Sequence, residues 1–86
     1  MYRLEIEEEV SKTFRKLLEK DRKQLEAVNK KIQQILTDPS QFKPLKHPLE
    51  RLRRVHIGSF VLIYRTIENP PTVQIITYTH HDEAYL

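Results

Sequence analysis

Residues 53 to 79 read "RRVHIGSFVLIYRTIENPPTVQIITYT", and the way this stretch divides decides the fold. It is rich in β-branched and aromatic residues and is broken twice, at Gly58-Ser59 and at "ENPP", residues 68 to 71. Apolar runs of that composition bounded by turn residues read as strands. The spacing therefore predicts three consecutive strands joined by short reversals. Gly58 is the chain's single glycine and falls where the second and third strands must reverse. There the backbone needs a freedom in φ that glycine supplies without a Cβ clash.

Working back from this stretch, "FKPLKHPLE" at residues 42 to 50 holds Pro44 and Pro48 and reads as an irregular connector. Before it the apolar period is helical. Leu25, Val28, Ile32, Ile35 and Leu36 share one face, a spacing that repeats every 3.6 residues or so. Asp21 is placed to cap that helix, with Gln24 three residues on completing a capping-box spacing. Asp38-Pro39 ends it, because the residue before proline is pushed out of the helical region. An earlier stripe of Val10, Phe14, Leu17 and Leu18 makes another helix, joined so tightly to the next that the two should form an antiparallel hairpin. At the start, "YRLEIE" alternates, with Tyr2, Leu4 and Ile6 on one side and Arg3, Glu5 and Glu7 on the other, as a half-buried strand does. The expected class is α+β in one domain over residues 1 to 86. An N-terminal strand is followed by an antiparallel helix hairpin and then a three-stranded antiparallel meander that completes one small sheet. The helix pair covers one face, and what lines the other decides function.

Composition narrows the classes. The 86 residues are 38% hydrophobic and 31% charged, without cysteine, so no disulfide framework or thiolate metal site is available. The acidic opening "MYRLEIEEEV" offers no signal peptide, and no stretch approaches the length that spans a bilayer. A cytoplasmic location is expected. The net charge of +3 is unevenly spread. "KPLKHPLERLRRVHI", residues 43 to 57, sets Lys43, Lys46, Arg51, Arg53 and Arg54 against the single acid Glu50, with His47 and His56 alongside. A local basic patch suits a polyanion such as RNA, although a solvated basic loop has the same composition.

Alternate strand residues share a face. In the second strand Val55 and Ile57 should point to the helices and Arg54 and His56 away from them. In the third, Phe60, Leu62 and Tyr64 oppose Val61, Ile63 and Arg65. In the fourth, strict alternation separates Val73, Ile75, Thr77, Thr79 and His81 from Gln74, Ile76, Tyr78 and His80. Both faces carry apolar residues, so hydrophobicity alone leaves the parity of the last two strands open. Tyr64 and Tyr78 are expected in the core. The strand-end histidines His80 and His81 are ordinary solvated residues on this reading. Adjacent on a strand, they point to opposite faces, which argues against a shared metal site.

The chain nevertheless resembles a known family. "RVHIGSFVLIYR" (residues 54 to 65), "HHDEAY" (80 to 85) and the element order resemble the RelE/ParE superfamily of type II toxins. "PLKHPLERLRRV" (44 to 55) is similar to the connector of its YoeB subgroup. The resemblance implies a toxin that cleaves messenger RNA on the ribosome without a metal or other cofactor, and a cognate antitoxin as partner. It places Arg54 and His56 where the family contacts the substrate phosphate, His80 and His81 on its C-terminal basic pair, and Tyr85 on its terminal tyrosine. Two departures accompany it. Val61 stands where many RelE-type enzymes carry arginine, and His81 replaces a second arginine. Arg65 is a candidate substitute, two alternate positions along from Val61. Attack by a 2′-hydroxyl needs a base, an acid and cations around phosphorus. Histidine suits the first two tasks and arginine the third. The expected catalytic set is His81, His80, Arg54, His56 and Tyr85, with Lys43, Lys46, Arg51, Arg53 and Arg65 binding RNA. A ParE-like inhibitor of gyrase, or a degenerate toxin that only binds, remains an alternative.

Overall fold

A computed structural model describes residues 1 to 83. Its elements are β1 (Arg3–Ile6), α1 (Glu8–Lys20), α2 (Arg22–Thr37), a short 3-10 turn (Pro39–Gln41), β2 (Arg53–Ile57), β3 (Phe60–Glu68), β4 (Pro71–His80) and a second 3-10 turn (His81–Glu83). The strands form one sheet in the order β1-β4-β3-β2. β2, β3 and β4 run antiparallel as the expected meander, and β1 joins beside β4 in parallel.

Asp21 makes the helix hairpin possible in a single residue. Its backbone N–H donates to the Leu17 carbonyl at 2.8 Å, closing α1, and its carboxylate accepts from the Gln24 N–H at 3.1 Å, opening α2. The reciprocal half of the expected capping box is absent. The Gln24 side chain instead donates to the Ile57 carbonyl at 3.2 Å and to the Tyr78 hydroxyl at 2.7 Å. Those groups are half-buried, where an unmet hydrogen bond costs more than an open helix end. Asp38 repeats the device at the other end of α2, donating its N–H to the Gln34 carbonyl and accepting from Ser40.

Both helices lie on one sheet face. Val10, Val28, Ile32, Ile35 and Leu36 pack there against Val55, Ile57, Leu62, Tyr64, Val73, Ile75 and Tyr78. Two sequence expectations soften. Leu18 remains 47% exposed at the margin of the α1 stripe, and Leu4 40% exposed, because β1 is an edge strand that the helices only partly cover. The β2–β3 reversal occurs as expected, with Gly58 at φ +62° and, among the described residues, no other in the left-handed region. A positive φ at only the first central position is the pattern of a type II′ hairpin turn. No helix among the described residues is long and apolar enough to cross a membrane.

Candidate functional site

The face away from the helices is set by parity, and one irregularity changes it. Ile63 pairs with Thr77 but Tyr64 pairs with Ile75, so Ile76 is an extra residue, a β-bulge in β4. Strict alternation therefore fails for this strand. Val73 and Ile75 face the helices, as do Tyr78 and His80, whereas Thr77, Thr79 and His81 go with the open face. The cause is the burial of Tyr78. Its ring stacks on Phe60 at 5.0 Å and meets the edge of Phe14 at 5.3 Å, and its hydroxyl is held by Gln24. Burial pushes the Tyr78 phenol above its ordinary value, with the Gln24 hydrogen bond opposing.

On the open face β2 presents Arg54 and His56. His56 lies opposite Val61 and Val61 opposite Thr79. Beyond Thr79 the chain turns, and the His81 N–H donates to the Ser59 carbonyl at 2.8 Å. That bond ties the end of β4 to the glycine turn and brings the His56 and His81 rings to 5.8 Å between centroids. Val61, between the strands that carry them, has no exposed surface. Position 61 is therefore filled by a packed apolar side chain. Asp82 lies against both C-terminal histidines, at 3.4 Å from Nδ1 of His81 and 3.6 Å from Nδ1 of His80. The sequence "HHD" held that contact in plain view.

The remaining expected site residues divide. His80 turns to the other side of β4, edge-on to Phe60 at 5.5 Å, so the structure pairs His81 with His56 and not with His80. Arg53 faces the helix side, where its guanidinium donates to the Phe42 carbonyl at 2.6 Å and holds the connector down. Arg65 shares the open face but lies four residues along β3 from Val61, roughly 13 Å. Its Nε donates to Gln74 Oε1 at 2.6 Å, and Gln74 in turn donates to Glu5. Arg65 is therefore not brought to the histidine pair. Arg51, Arg53 and Arg65 line one open hollow of about 850 Å³. Lys46 and Arg54 line another, of about 430 Å³, on the histidine side. Lys43 is exposed beside it, its carbonyl accepting the Arg54 N–H at 3.1 Å. Tyr85 lies outside the described residues.

A cationic, titratable cluster at the end of an open sheet face now stands beside the fold itself. Residues 4–85 match the family model described as "ParE toxin of type II toxin-antitoxin system, parDE". The chain belongs to the RelE/ParE superfamily of type II toxins. It is 42% identical over 86 residues to a Methanocaldococcus jannaschii protein that carries the toxin name RelE4, covering 99% of this chain and 92% of that one. Its fold is similar to that of the isolated E. coli RelE toxin, with a TM-score of 0.79 at 21% identity over 99% of this chain and 89% of that one. It is also similar to a chain of the archaeal RelE-RelB complex from Pyrococcus horikoshii OT3, with a TM-score of 0.70 at 16% identity over 96% and 98%. At such identities the two solved structures speak for the fold of this RelE/ParE toxin.

Proposed function

We propose that this toxin is a ribosome-dependent endoribonuclease that cleaves messenger RNA through the substrate's own 2′-hydroxyl. The supporting observation is the pair of imidazoles, His56 and His81, 5.8 Å apart on the open face, with Arg54 two residues along the same strand as His56. In the proposed step one imidazole takes the proton of the 2′-hydroxyl as its oxygen bonds to phosphorus. The bond from phosphorus to the 5′-oxygen breaks, and the other imidazole, protonated beforehand, gives its proton to that leaving oxygen. The products are a 2′,3′-cyclic phosphate and a 5′-hydroxyl, and the proton count balances across the pair. Arg54 meets the charge that grows on the non-bridging oxygens, the task a permanently charged fork performs best. Asp82 orients His81 through Nδ1, leaving the rest of the ring for proton transfer.

The family relationship and the complex of the Pyrococcus horikoshii neighbour support a cognate antitoxin as partner. The test is cleavage of a defined message on programmed ribosomes. His56→Ala and His81→Ala should each lower the rate by about 10²–10⁴ while thermal unfolding stays close to wild type. His80→Ala should cost far less. Well-folded wild-type protein that leaves the message intact sinks the proposal. The ParE description of the matching family and the buried valine at position 61 favour the second reading, an inhibitor of gyrase. Supercoiling by purified gyrase, with and without the toxin, tests that directly.

A further inference from the structure

The smaller hollow on the histidine side is walled by Leu45 and Leu49 and rimmed by Lys46, His47 and Arg54. Leu49 is 51% exposed, an apolar side chain held in water instead of folded away. The backbone keeps it there. Leu45 N–H donates to the Leu52 carbonyl at 2.9 Å, Leu49 N–H to Lys46 at 2.8 Å and Leu52 N–H to Leu49 at 2.9 Å. Glu50 anchors the ring of His47, Oε1 to Nδ1 at 3.0 Å. The connector is thus folded on itself around an apolar recess, and its volume of about 430 Å³ lies in the ~300–1,000 Å³ range of small-ligand sites.

We propose that this recess binds a nucleobase, that of the nucleotide adjoining the phosphate attacked between His56 and His81. The inference rests on the nuclease reading and deepens it by naming where base preference arises. Two features select this occupant. The walls are apolar, suiting the face of a base, while the rim carries Lys46 and Arg54. An apolar protein side chain would gain nothing from Lys46 and Arg54, whereas a nucleotide presents a base and a phosphate together. The second feature is position. Arg54 lines the recess and is two residues from His56 on the same strand face, roughly 6.6 Å along it, so one extended nucleotide links the two places.

The experiment follows leucine methyl resonances of the full chain during titration. The probes are each of the four nucleoside 5′-monophosphates, inorganic phosphate and an uncharged apolar peptide. Leu45 and Leu49 methyls should shift saturably with at least one nucleotide and not with phosphate alone. Leu49→Ala, a change at an exposed position, should weaken that binding about tenfold, and Arg54→Gln should weaken it as well. Ribosomal cleavage by wild type and by His81→Ala is measured alongside. Wild-type cleavage with no methyl response to any nucleotide at millimolar concentration overturns the base site and leaves the nuclease standing. Nucleotide binding that survives in His81→Ala, with no cleavage by wild type, overturns the nuclease and leaves a nucleotide site. Methyl shifts with the peptide but with no nucleotide assign the recess to a protein partner and end the proposal.

Discussion

Tyr64→Phe tests whether the sheet, the helix end and the connector are held together as described. Tyr64 has no exposed surface, and its hydroxyl donates to the Pro39 carbonyl at 2.6 Å, just past the end of α2. Removing the oxygen deletes that bond and leaves the carbonyl without its donor, a loss of about 1–3 kcal/mol at neutral pH. The same hydroxyl predicts an alkaline effect. Burial pushes the phenol from 10.0 up to about 12, with Asp38 adding to the shift and the Arg53 guanidinium opposing it. A raised value means that the fold favours the neutral phenol. Its contribution is therefore complete below pH 10, the unfolded value, and is lost as pH climbs through the folded value near 12. With those two values the loss amounts to ~1.4 kcal/mol by about pH 11. The neighbouring Ser40 and Gln41 are exposed to solvent, so half of that figure is the lower end of the expectation. Phenylalanine has nothing to ionise. Urea unfolding of both proteins at about pH 8 and about pH 11 should show wild type ahead at the lower pH, with the gap narrowing by ~0.7–1.4 kcal/mol at the higher one. A gap that stays constant or widens refutes the argument, because Tyr64 would then ionise as easily folded as unfolded.

Other perturbations follow from the same geometry. Gln24→Ala removes the side chain that serves both Ile57 and Tyr78; denaturant unfolding should show a loss of about 1–3 kcal/mol, and tyrosinate absorbance a Tyr78 that titrates still higher. Gly58→Ala places a Cβ 3.8 Å from Gln24 Oε1, an ordinary contact, so backbone strain alone should set its cost at about 1–2 kcal/mol; a much larger loss on unfolding would reveal a steric block. Arg65→Gln should leave ribosomal cleavage within a few-fold of wild type while Arg54→Gln slows it strongly, and equal losses would contradict their separation along the sheet.

Local chemistry carried much of this protein. The helix joints at Asp21 and Asp38, the reversal at Gly58 and the alternation of β2 each depend on neighbours within a few residues, so they could be read from the chain. Arg54 and His56 were assigned to one face for that reason. The basic connector could be seen as a run of charges, but not as the two hollows into which it divides. Arg53, and Arg65 on β3, are each held by a partner outside their own local stretch, Phe42 and Gln74. Leu49 gave no signal, because an exposed leucine and a buried one look alike in a sequence.

By itself, then, the sequence determined the order of strands and helices, their ends and the family they belong to, all of which rest on short-range periodicity and turn chemistry. Tertiary structure alone decided the parallel seat of β1 and which histidines meet. One extra residue at Ile76 inverts every side chain after it. The bulge is held by Tyr78 packing against Phe14 and Phe60 under Gln24, contacts made across the whole chain. Those contacts sent His80, still exposed, to the Phe60 side of the sheet and brought His81 to His56.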